Sequence, residues 1–134
     1  MKSIKKIIVL LIFALLICGC NNEEIEEKKE EPVPKEEISI MEYGKYKDIK
    51  LEDIESIKII KYTVGGDNPT EYNDFDSIKA IYDKLAAYKV GEETEMVCED
   101  NTTSYVFNMK NGDKYSISIE CNWFVIDGKR YLVK

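Results

Sequence analysis

Between Asn73 and Lys89, apolar side chains recur at three- and four-residue steps: Phe75, Ile78, Ile81, Tyr82, Leu85 and Tyr88. This spacing predicts an α-helix with a single apolar stripe, its opposite side carrying Lys79, Asp83 and Lys84. Such a helix must lay its stripe on an apolar surface supplied by the rest of the chain. Asn73 or Asp74 is suited to cap the first turn. Asp74 and Asp76 suit the positive end of the helix dipole, and Gly91 is placed to stop the helix.

The surface beneath the helix is expected to be a sheet. Glu55 to Val64 is β-branched and roughly alternating, a strand with room for a bulge at Ile59-Ile60. Gly65-Gly66-Asp67-Asn68-Pro69-Thr70 then reads as a loop into the helix. Beyond the helix, Met96 to Cys98, Thr103 to Met109, Lys114 to Glu120, Trp123 to Ile126 and Lys129 to Val133 are short β-type runs. They are separated by Asp100-Asn101, Asn111-Gly112, Cys121-Asn122 and Asp127-Gly128, the layout of a meander. Face patterning selects the turns. A three-residue Lys110-Asn111-Gly112 loop pairs Tyr105 with Ile117 and Phe107 with Tyr115, whereas a two-residue loop would put serines in the core. A two-residue Asp127-Gly128 turn lines up Phe124 with Tyr131. The expectation is an α+β domain, one amphipathic helix packed on an antiparallel β-meander in the order β-α-β-β-β-β.

Ile38 to Lys50 carries mixed signals and is expected to be extended or irregular. Ahead of it, Asn21 to Glu37 holds eight Glu, three Lys, Pro32 and Pro34, with only Ile25 and Val33 as sizeable apolar residues, too little to offset the entropy of ordering. At the start, Lys2, Lys5 and Lys6 precede an unbroken apolar run from Ile7 to Cys18. That is the layout of a secretory signal, and it is shorter than the roughly 20 apolar residues a membrane span needs. Ile17-Cys18-Gly19-Cys20 resembles the lipobox of bacterial lipoproteins. Asp127 to Tyr131 is similar to the Asp-Gly-Lys-x-Tyr hairpin that ends small Gram-positive lipoprotein domains. The resemblance implies diacylglycerol on the Cys20 sulfur, cleavage before it, and anchoring to the cell membrane on its extracytoplasmic face. Residues 1–19 would then be a signal peptide, 20–37 the lipidated cysteine with an acidic disordered tether, and 38–134 a single folded domain.

Charge narrows the partners. The whole chain has 19 basic and 26 acidic residues; loss of residues 1–19 removes three lysines and no acid, leaving 16 against 26, or −10. Arg130 is the only arginine. No nucleic-acid footprint is present, and the membrane is expected to be reached through lipid rather than charge.

Chemistry is sparse. With no histidine, the usual general base and the commonest transition-metal ligand are absent. No nucleophile elbow, phosphate-binding loop or dinucleotide fingerprint occurs, so no cofactor and no enzymatic activity are expected. Glu92, Glu93, Glu95, Glu99 and Asp100 could form a carboxylate pair but read as solvated charges near turns. Asp67, Asn68, Glu71, Asn73, Asp74 and Asp76 offer oxygen ligands without EF-hand spacing, so no metal is expected.

Two further groups stand out. Cys98 and Cys121 remain once Cys18 and Cys20 are set aside, and an exported protein can oxidise them, although an intervening strand could hold them too far apart. Asp67, Asn68, Glu71 and Tyr72 present hydrogen-bonding groups and an aromatic where the chain turns toward the helix, a place for partner contact. The functional expectation is a non-enzymatic binding or interaction domain for an extracytoplasmic protein or small ligand. The alternative is an inhibitor or immunity-type protein acting on an extracellular hydrolase, since the architecture looks like cystatin-like domains and the halves of β-lactamase-inhibitor-like proteins.

Overall fold

The computed structural model describes residues 36–98 and 101–134. The expected signal peptide, Cys20 and nearly all of the tether lie outside them. Three 3₁₀ turns, Ile40–Glu42, Gly44–Asp48 and Leu51–Asp53, lead into β1 (Ile54–Thr63) and β2 (Gly66–Tyr72). Then come α1 (Phe75–Ala87), β3 (Val90–Thr94), β4 (Thr102–Met109), β5 (Lys114–Glu120), β6 (Trp123–Ile126) and β7 (Lys129–Val133). The strands form one antiparallel sheet in the order β2-β1-β4-β5-β6-β7-β3. The α+β class holds, but the order does not match β-α-β-β-β-β: two strands precede the helix and five follow it.

Each departure has a local cause. The stretch expected to be a loop pairs along its whole length with β1, from Thr63↔Gly66 to Ile57↔Tyr72. Its strand-poor residues are tolerated because β2 is an edge, where Pro69 forfeits no ladder bond if its nitrogen faces outward. Gly91 does not stop the helix, which ends at Ala87 with the Tyr88 N–H returning to the Leu85 carbonyl. Gly91 lies instead in β3, so close to β7 that a Cβ there would sit 2.8 Å from the Leu132 carbonyl oxygen. The bulge falls between Ile54 and Ser56 rather than at Ile59-Ile60.

Met96 to Cys98 is not a strand. β3 lies at one edge and β4 near the middle of the sheet, so the chain after Thr94 has to recross β7, β6 and β5, leaving Met96 and Val97 63% and 65% exposed. Cys98 is therefore not held two strands away from Cys121. The two form a disulfide pair with Cα atoms 6.2 Å apart.

The hairpins turn as the face pattern requires. Tyr105 pairs with Ile117 and Phe107 with Tyr115 across Lys110-Asn111-Gly112, with Gly112 at φ 90°. Phe124 pairs with Tyr131 across Asp127-Gly128, both at positive φ. This register sends Ile57, Phe107, Ile117 and Phe124, all fully buried, to the helix side. There they meet Leu85 and Ile78 of α1 and, unexpectedly, Ile40, Tyr46 and Ile49 from the irregular entry segment. The helix thus shares its face of the sheet with the 3₁₀ turns, bound to them by Ser39 Oγ donating to the Ala86 carbonyl (2.7 Å) and Tyr82 Oη donating to the Ile49 carbonyl (3.3 Å).

Candidate functional site

The side of the sheet away from α1 ends in a cavity of about 540 Å³. β1 supplies Glu55 and Ser56, β2 supplies Glu71 and leads to Asn73, β4 supplies Asn108 and Met109, and the turn into β5 supplies Gly112, Asp113 and Lys114. The bulge between Ile54 and Ser56 matters here. It restores Ile57 to the core face while setting Ser56 opposite Asn108 on the cavity side.

Ser56 is the anchor of the site. It is 7% exposed, and its hydroxyl donates to Glu71 Oε1 (2.8 Å) while accepting from Asn108 Nδ2 (2.9 Å). The chain Asn108→Ser56→Glu71 joins three strands and commits one oxygen of the Glu71 carboxylate, leaving the other for a ligand. Asp113 is braced at the rim by its neighbour: its N–H donates to Asn111 Oδ1 and its Oδ2 accepts from Asn111 Nδ2, both at 2.9 Å. Three carboxylates, two amides and one lysine ammonium line a concavity whose charge sums to −2. Such a surface accepts hydrogen bonds and favours a polar, cationic guest, with Met109 adding an apolar contact.

Of the residues expected to contact a partner, the structure gathers only part. Alternation along β2 puts Asp67 and Glu71 on the cavity side and Asn68 and Tyr72 on the other, and of the four only Glu71 lines the cavity. Ser56, Asn108, Asp113 and Lys114 were not anticipated. Ser56 and Asn108 are 52 residues apart, and neither carries a local motif. Among the described residues, the acidic stretch after the helix does not converge on a pair. Glu92 and Glu93 lie exposed on β3, Glu93 paired with Lys129 at 3.2 Å, while Glu99 and Asp100 are outside the described residues. Among the described residues, no three His, Cys, Asp or Glu side chains come together as a metal site.

Elsewhere, Tyr131 is pushed up to about 12, first by its hydrogen bond with Tyr43 and then by burial. The two rings lie 5.6 Å apart. At neutral pH Tyr131 stays protonated, a latch between the entry segment and β7 rather than a base.

Comparison with known proteins finds no matching family model, no matching curated protein and no matching solved structure. No helix among the described residues is long and apolar enough to cross a membrane.

Proposed function

We propose that this chain is a membrane-anchored extracytoplasmic lipoprotein whose folded part is a non-enzymatic binding domain, with the Ser56–Glu71–Asn108 cavity as its recognition site. The observation that carries the binding role is the buried Ser56 relay. A serine hydroxyl held between two strands and aimed at a carboxylate pre-arranges that carboxylate at no cost to the ligand, which is how a rigid scaffold turns a surface group into a recognition group. The anchor is supported by Ile17-Cys18-Gly19-Cys20 and the basic and apolar residues ahead of it.

Two measurements test the two halves. In cells fed a palmitate analogue, the chain takes up label and Cys20→Ala does not; undiminished label on Cys20→Ala removes the anchor. For the site, ligand-observed NMR against a panel of small polar compounds is run on the full chain and on a Ser56→Tyr chain, whose bulky ring fills the cavity. Compounds bound by the first are lost from the second. Equal binding by both, or binding by neither, overturns the site.

A further inference from the structure

Resting on that reading, we infer that the cavity is one end of a longer binding track along the free edge of β2, and that its ligand is an extended, lysine-bearing peptide segment that adds to the sheet as an eighth strand. Among the described residues the edge is open along its whole length, for β2 pairs there only with β1 and every residue from Gly66 to Glu71 is exposed. In a hairpin closed by Val64 and Gly65, Thr63 and Gly66 form the first hydrogen-bonded pair. Bonding to β1 then alternates through Asn68, Thr70 and Tyr72. Asp67, Pro69 and Glu71 consequently turn their backbone groups to the free side. Pro69, which has no N–H, fits only there.

The unpaired edge thus offers three carbonyls but only two N–H groups. Its side chains on the cavity side are Asp67, Pro69 and Glu71, two carboxylates spaced as residues i and i+4 of a strand. A partner strand with lysines two or four positions apart sets its ammonium groups beside them, and a lysine near the end of the track reaches the cavity, where Glu55 and Asp113 add acceptors. Lys58 and Lys114 face the same side, so along the track four carboxylates stand against two ammonium groups. The balance remains acidic. A second copy of this chain is a poor occupant, because antiparallel β2–β2 pairing would set Asp67 and Glu71 against their own counterparts.

The test is fluorescence anisotropy of the full chain with three labelled probes, each an acetylated and amidated octapeptide. The first alternates lysine and valine, the second replaces lysine with glutamate, and the third is the lysine sequence with every backbone N–H methylated. The first binds, and the other two bind at least about tenfold more weakly. Glu71→Gln, which keeps the acceptor for Ser56, weakens the first by about tenfold, the loss of one charge-assisted bond. Pro69→Ala restores a donor to the edge and tightens it. Equal binding of the methylated peptide shows charge attraction without a ladder and overturns the inference, as does equal binding of the glutamate peptide. A chain that ignores all three yet still takes a small polar compound in the cavity overturns the peptide track and leaves the binding domain standing. A chain that binds nothing overturns both.

Discussion

The two edges of this sheet face the same hazard, a row of unpaired backbone groups, and meet it differently. At β3 the entry segment covers the start of the edge. Val90 N–H donates to the Ile38 carbonyl, Ile40 N–H donates to the Tyr88 carbonyl, and Ser39 bridges to Lys89. The same segment then drives Ile40, fully buried, into the core. At β2 none of the described residues covers the edge, and Pro69 and two acids blunt it. The difference teaches that the β3 side is tied into the core at its start, whereas the β2 strand stays exposed.

The sharpest way to break that comparison is to cut equivalent side chains on the two sides. Ile40→Ala removes a fully buried side chain from under the helix and should lower stability by about 2–5 kcal/mol in urea unfolding. Val64→Ala and Thr70→Ala, both on the exposed hairpin, should stay within about 0.5 kcal/mol of the parent. A Val64 loss as large as that at Ile40 would show that the hairpin is structural after all.

Next in size is the cross-link between the chain after β3 and the β5–β6 turn. The Cys98–Cys121 pair closes a loop spanning a sequence separation of 23, worth about 3 kcal/mol in the chain-entropy account. Cys121→Ser should cost that much under oxidising conditions and nothing under reducing ones. Thiol titration of the denatured, unreduced chain should find Cys98 and Cys121 unreactive, and two reactive thiols there would refute the bridge.

Gly91 sharpens the contrast further. Gly91→Ala forces a methyl against the Leu132 carbonyl, and backbone has little freedom to yield, so a loss of about 1–3 kcal/mol is expected. On the other edge a Cβ at Gly66 meets nothing within 4 Å, so its substitution costs only what φ +112° imposes on a side chain. A thermal midpoint that falls no further for Gly91→Ala than for D-alanine at Gly66, where a D-residue relieves the positive φ, would contradict this.

How much of this was legible depended on how far apart the cooperating residues lie. The helix and the β4–β5 and β6–β7 hairpins could be read because their signals are local: a stripe of six apolar residues, Asn111-Gly112, Asp127-Gly128. β2 was misread because Gly, Asp, Asn and Pro argue against a strand when taken alone, and only the ladder from β1 and the leniency of an edge reverse that. Gly91 was misread as a helix stop because its partner, Leu132, is 41 positions away. The cavity was invisible for the same reason. It exists only once β1, β2 and β4 are in register, and nothing in Glu55-Ser56 or Asn108-Met109 announces that pairing.

A modest effect is expected at the junction between the exposed hairpin and α1. Asp74 caps α1, its Oδ1 accepting the Ser77 N–H at 2.9 Å, and the hydrogen bonds from Ser77 hold its carboxyl below the usual carboxylate range. A carboxyl whose pKa is depressed by folding adds stability above its unfolded value of 3.8, and that stability disappears as pH falls through the lower folded value. Asp74→Ala should therefore lower the thermal midpoint modestly at neutral pH, and the gap from the parent should close as the solution is acidified below 3.8. Asp74→Asn keeps the cap without the charge, so it should sit between the two at neutral pH and outlast the parent's advantage in acid. If the gap between Asp74→Ala and the parent stays constant down to strongly acidic pH, the carboxylate is not the cap. The helix would then be held by Ile78 and Leu85 alone, and the boundary between the two regions would lie one turn further into α1.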